Sequence, residues 1–193
     1  MVYTKNDLKV LHVHIPKTGG GSITSFFEKN FDKIPVKIPE LGWNYAHAHA
    51  DLINKYIDLS DIDFIFTFIR NPIDRFISVH NYQCFTNAFS GDLDEFCNFY
   101  ESESHAKSGF CFQHTRKIID FINIDKLQIF NFLDFKPFID KLNSLGNFNF
   151  KYSEIPHKNN LSYKKEISHE LRSRLESILN DDIDFYKNYL INN

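Results

Sequence analysis

Cysteine is scarce in this chain, and so are glycine and proline. The three cysteines, Cys84, Cys97 and Cys111, are an odd number with wide spacing. That fits reduced thiols in a cytosolic protein better than a disulfide framework. With 7 Gly and 6 Pro in 193 residues, no stretch is rich enough in Pro, Gly or Ser to act as a linker. No internal repeat is visible. No run approaches the roughly 18 apolar residues of a membrane span. The segment after Met1 has no apolar region long enough for a secretory signal, so the expected location is the cytoplasm. An excess of basic residues is also missing. The formal net charge of -3 gives nucleic acid no global attraction as a partner. Nothing in the pattern specifies an oligomeric state.

Aromatic residues, by contrast, are abundant. They make up 16% of the chain, with 21 Phe, and hydrophobic residues reach 42%. That is a globular composition with a sizeable core, and residues 1–193 are expected to form a single domain. Three short apolar, β-rich runs stand out: Lys9 to Ile15, Asp63 to Ile69 and Lys126 to Phe132. Helical patterns follow each of them, at Ser22 to Lys29, Ile73 to Gln83 and Lys136 to Leu145. Alternating strands and helices predict an α/β fold, a parallel sheet flanked by helices on both faces. In such folds ligands bind where the strands end. Ile34 to Asp51 reads as a long loop. Leu93 to Glu103, Glu166 to Asn180 and Asp182 to Asn193 read as further helices.

The first run leads into His14-Ile15-Pro16-Lys17-Thr18-Gly19-Gly20-Gly21-Ser22-Ile23. Strand, glycine turn and helix together present backbone N–H groups and a helix N-terminus to an anion. Lys17 adds a mobile positive charge, and Thr18 and Ser22 add hydroxyl groups. A Walker A loop places its glycines before Lys-Ser/Thr. Here Lys17-Thr18 comes first, and there is no GxGxxG, so an ordinary P-loop NTPase is disfavoured. A structural glycine turn with a chance lysine is the competing reading.

The second run ends in Phe68-Ile69-Arg70-Asn71-Pro72-Ile73-Asp74-Arg75-Phe76-Ile77-Ser78. Arg70 falls where the strand stops, and Pro72 suits the first turn of the next helix. Arg70 and Ser78 can hold a second phosphate, because a guanidinium matches phosphate oxygens in a forked geometry. An arginine capping a strand end and a serine on a solvated helix face are the plainer alternative.

The two motifs together resemble the sulfotransferases that use 3′-phosphoadenosine-5′-phosphosulfate (PAPS). They are most similar to the carbohydrate branch that includes heparan sulfate 2-O-sulfotransferase and its bacterial relatives. The resemblance implies a P-loop-NTPase-like three-layer sandwich with a central, mainly parallel sheet. It implies that Lys17, Thr18, Gly19, Gly20, Gly21 and Ser22 bind the 5′-phosphosulfate, and that Arg70 and Ser78 bind the 3′-phosphate. Members of the family commonly carry threonine where this chain has Gly21, so Ser22 or backbone N–H groups must replace one hydroxyl. Arg75 is open between a ligand contact and a pair with an acid such as Asp74. The implied acceptor is a hydroxyl on a glycan or glycoconjugate.

Transfer to a hydroxyl requires a proton acceptor. Tyr45-Ala46-His47-Ala48-His49-Ala50-Asp51 resembles the histidine segment of the 2-O-sulfotransferase branch, with His49 the first choice as base and His47 the second. In an extended segment both point the same way. Solvated loop histidines and metal ligands are the alternatives, and no third ligand is evident. His14 can line the site from the strand end, and His12 reads as a packing residue. Trp43, Tyr45 and Tyr82 are candidates for stacking on a sugar. Gln113, His114 and Arg116 are candidates for facing the acceptor, and Lys158, Asn159, Ser162 and Lys164 for covering the nucleotide. No metal is required. A magnesium-dependent small-molecule kinase and a non-catalytic PAP-binding or glycan-binding protein are the rival functions.

Overall fold

A computed structural model describes residues 1–41, 45–102, 113–156 and 167–192, with backbone only at Tyr45 and Asn192. The strands are β1 (Val2–Lys5), β2 (Leu8–His12), β3 (Asp32–Ile34), β4 (Phe64–Ile69) and β5 (Gln128–Asn131). The helices are α1 (Gly20–Asn30), α2 (Ala50–Tyr56), α3 (Pro72–Phe85), α4 (Leu93–Glu101), α5 (Ile119–Ile122), α6 (Lys136–Gly146), α7 (His169–Ile178) and α8 (Asn180–Asn192). The fold is mixed α/β. The chain divides into two compact units, Met1–Ile69 with Asp120–Asn159, and Arg70–Ile119 with Asn160–Asn193. No helix among the described residues is long and apolar enough to cross a membrane.

The first unit holds a five-stranded sheet in the order β3-β1-β2-β4-β5. Strands β2, β4 and β5 run parallel, as the alternating pattern predicts. The sheet as a whole is mixed, because β1 pairs antiparallel with both β2 and β3. The β1–β2 hairpin turns on Asn6 and Asp7, with φ of 49° and 65°. Those two residue types tolerate the left-handed region that a tight two-residue hairpin demands. All six residues of β4 are buried, as a central strand covered on both faces requires.

Alternation along β4 sends Phe64, Phe66 and Phe68 to one face. There they meet Phe138 of α6 at ring separations of 6.2, 4.6 and 5.1 Å. Phe27 of α1 lies 5.6 Å from Phe66 on the same face. Burial of Ile23, Phe26 and Phe27 therefore anchors α1 on the sheet and fixes where its N-terminus begins.

The second unit is helical in its described residues. Ile73, Phe76, Val79, Phe96, Cys97, Leu175 and Leu179 form its core. Asn71 starts α3 by accepting hydrogen bonds from the N–H groups of Ile73 and Asp74 at 3.0 and 3.2 Å, with Pro72 in the first turn. Asp92 and Glu95 form a reciprocal cap at the start of α4.

Candidate functional site

The parallel strands β2, β4 and β5 end along one edge of the sheet, and residues 13–19 leave β2 there. Two residues of this turn are left-handed, Lys17 at φ 68° and Gly19 at φ 84°. Thr18 is buried, and its hydroxyl donates to the Ile15 carbonyl at 2.8 Å. Its hydrogen thus closes the turn. Gly19 is the N-cap of α1 and supplies no side-chain cap. Its carbonyl accepts from the Ser22 and Ile23 N–H groups at 2.9 and 3.2 Å. The first N–H groups of a helix have no intrahelical partner, so α1 opens with amide hydrogens and the positive end of its dipole. Ser22 is buried in this first turn, whereas Gly21 is exposed.

Each of the first two glycines faces an aromatic ring. A Cβ on Gly19 would lie 2.7 Å from Phe132, the residue after β5. A Cβ on Gly20 would lie 1.6 Å from Nε2 of His14. Phe132 went unrecognised in the sequence; its place just beyond a strand is the signal that marks it.

His12 and His14 share a face, as alternation along an extended chain dictates. His12 is buried and stacks on Phe66 with ring centres 4.9 Å apart. Burial, with the Met1 amine and His47 adding to it, holds its pKa well below the usual histidine range, so the ring is neutral. His14 lies 5.3 Å from His12 and 4.5 Å from His47. Nδ1 of His47 lies 3.5 Å from the His14 carbonyl oxygen. His49 is instead the N-cap residue of α2, with Nδ1 3.8 Å from the exposed Asp51 carboxylate. His47 packs against His14, whose ring lies beside Gly20 of the glycine turn. No group of three or more His, Cys, Asp or Glu among the described residues is arranged to hold a metal ion.

Arg70 and Ser78 belong to the second unit, and both are half-buried. Burial lowers the pKa of the Arg70 guanidinium, opposed by Asp74. A partly desolvated cation of this kind gains from an anionic ligand. Arg75 lies near a buried acid, Asp182, rather than on the surface. It is buried, donates to the carbonyls of His114 and Arg116 at 3.1 and 2.7 Å, and lies 3.9 Å from the buried Asp182 carboxylate. That carboxylate accepts from the Ile118 N–H at 2.8 Å. Arg75 and Asp182 therefore brace the unit from inside. His114 is buried with its ring 5.2 Å from Tyr82. Trp43, Lys158, Asn159, Ser162 and Lys164, and the side chain of Tyr45, lie outside the described residues.

A family model described as the sulfotransferase family matches residues 1–117, more than half of the chain and a span that contains both motifs. No curated protein and no solved structure matches the chain.

Proposed function

The chain belongs to the sulfotransferase family, and from that premise we propose that it transfers a sulfuryl group from PAPS to a hydroxyl of a carbohydrate or glycoconjugate. The observation that carries the reading is the α1 N-terminus, which is capped by a glycine without a side chain and preceded by Lys17 in a left-handed turn. Amide groups at a helix N-terminus and a lysine suit a phosphate-bearing ligand. Because Lys17-Thr18 precedes the glycines, the order favours a sulfuryl donor over ATP. PAPS supplies the activated sulfuryl group when bound.

Residues 17–22 hold the 5′ end, with Lys17 beside the oxygen that leaves and with amide groups facing the charge that develops on it. Arg70 and Ser78 hold the 3′-phosphate. A histidine of the 45–51 segment, His49 or His47, takes the acceptor's proton. The acceptor O–S bond forms as the S–O bond to the 5′-phosphate breaks, the electron pair leaves with PAP, and the proton ends on the imidazole. Positioning and electrostatics dominate, as in phosphoryl transfer. The single-domain arrangement over residues 1–193 and the P-loop-like three-layer architecture belong to the same proposal, as does a cytoplasmic setting.

Binding of PAP, measured by thermal shift against ADP and against ATP with Mg²⁺, tests the reading. PAP alone should stabilise the protein strongly, and Arg70→Ala should weaken PAP about 10-fold to 100-fold, since a charge-assisted contact contributes about 1.5–3 kcal/mol. Stronger stabilisation by ATP with Mg²⁺ would overturn PAPS as the donor. Unchanged PAP affinity in Arg70→Ala would remove that residue from the site. Transfer of radiolabelled sulfate onto candidate glycans then separates an enzyme from a binding protein.

A further inference from the structure

His47 and His49 compete for the role of base, and their surroundings differ in kind. Nδ1 of His49 is 3.8 Å from Asp51, beyond hydrogen-bond distance, and Asp51 is exposed. Nδ1 of His47 faces a fixed backbone carbonyl, that of His14, at 3.5 Å. A carbonyl can only accept, so the contact favours the tautomer with hydrogen on Nδ1 and the lone pair on Nε2.

The His14 ring is itself closely confined. Gly20 leaves no room for even a methyl group beside its Nε2. His12, stacked on Phe66 in the core, lies 5.3 Å away on one side, and His47 lies 4.5 Å away at an interplanar angle of 53° on another. The chain of contacts therefore runs from the packed core through His12 and His14 to His47, and it touches the first turn of α1 at Gly20.

We propose that His14 is the positioning residue for His47: its carbonyl holds the Nδ1–H tautomer and its ring fixes the imidazole plane, so that Nε2 of His47 is the proton-accepting nitrogen. The catalytic meaning rests on the sulfotransferase reading; the geometry does not. The same contact explains why the turn carries glycine at position 20. A side chain there would displace the ring that sets His47.

The test uses the full chain labelled with nitrogen-15 histidine. Two-bond proton–nitrogen correlation spectra at alkaline pH show which ring nitrogen bears hydrogen, and His47→Gln identifies the His47 signals. The Nδ1–H form is expected in the unaltered protein and in His14→Phe, which keeps an aromatic plate and the same carbonyl. His14→Ala keeps the carbonyl but removes the ring that fixes the imidazole plane, so the imidazole turns from the carbonyl and its signals should move toward a tautomer average. That variant should also lose about tenfold or more in kcat with little change in KM for PAPS, because a mispositioned group costs turnover rather than donor binding. An Nε2–H His47 in the unaltered protein would overturn the proposal, as would His14→Ala with unchanged tautomer and kcat. If His14→Ala does not fold, the spectra of the unaltered protein and of His14→Phe decide. A protein that binds no PAP but shows the Nδ1–H form refutes the function and upholds the positioning.

Discussion

Adding one methyl group at Gly20 should strike the His14 ring first, since its three nearest atoms all belong to that ring. The new Cβ would sit 1.6 Å from Nε2, about half the closest tolerable approach, so the ring must move. It is hemmed in by His12 and His47. Overpacking a confined site costs roughly 1–3 kcal/mol. Against this, replacing glycine in a helix gains at most about 1 kcal/mol, and less in the first turn. The net expectation for Gly20→Ala is a loss of about 1–2 kcal/mol, or roughly 2–8 °C in Tm for a chain of this size. A double-mutant cycle isolates the cause. In a His14→Ala background the clash has no target, so Gly20→Ala should become neutral or mildly stabilising, giving a coupling of about 2 kcal/mol. Gly19→Ala is the control. Its φ of 84° is costly for any other residue and its close neighbour is Phe132, so its penalty, about 1–2 kcal/mol from the backbone alone, should not depend on His14. Urea denaturation of the six proteins in the two cycles measures all of this. Additive effects of Gly20→Ala and His14→Ala would refute the account of the turn.

Asp182→Ala should cost about 3–5 kcal/mol in urea denaturation, because it strands the buried Arg75 charge and removes the acceptor for the Ile118 N–H. Lys5 donates to the Asn30 carbonyl at 2.8 Å and lies 5.7, 5.8 and 5.5 Å from the rings of Phe31, Phe148 and Phe150. Lys5→Met should therefore lower stability by about 1–2 kcal/mol in thermal melts, despite its better match to an apolar setting. Hydrogen bonds from Lys55 first, and then Tyr56, hold the Glu40 carboxyl at about 2 against an ordinary 4.5. A depressed carboxylate stabilises the fold above its ordinary value, and the contribution fades as pH falls from there toward about 2. An NMR titration should show the Glu40 midpoint rising in Lys55→Met, while the Tyr56 hydrogen bond still holds it below the ordinary value.

The strands legible in the sequence were those whose burial is written as continuous apolar residues. Asp63 to Ile69 reads as a covered strand, and β4 fills all of it but Asp63; β5 lies within the Lys126 to Phe132 run, and β2 overlaps the Lys9 to Ile15 run but starts one residue earlier and stops at His12. β1 was missed although its turn residues Asn6 and Asp7 are the ones a tight hairpin selects. β3 is only Asp32–Ile34, mostly exposed, and exists because β1 offers an open edge. No pattern of its own announces it. The start of α2 at Ala50 was hidden because the His-x-His segment reads as loop. Arg75 shows the same limit among functional candidates. Position on a helix cannot reveal that a guanidinium folds inward onto two carbonyls supplied from 41 residues or so away in sequence.

The glycine run read in sequence as one device, a flexible turn around a phosphate, yet its members are small for different reasons. Gly19 is required by a left-handed backbone and by Phe132. Gly20 has no positive φ to explain it and is required by the His14 ring. Gly21 is exposed on the first turn of α1. A phosphate cradle alone asks for amide groups and close approach, which Gly19 and the helix N-terminus already provide. Gly20 adds a contact to a histidine, and through it to His47. The turn thus joins the proposed anion site and the proposed base within one short segment, so a change in one glycine is felt at both. That coupling follows from packing: the ring that excludes a Cβ from position 20 is the ring on which His47 rests.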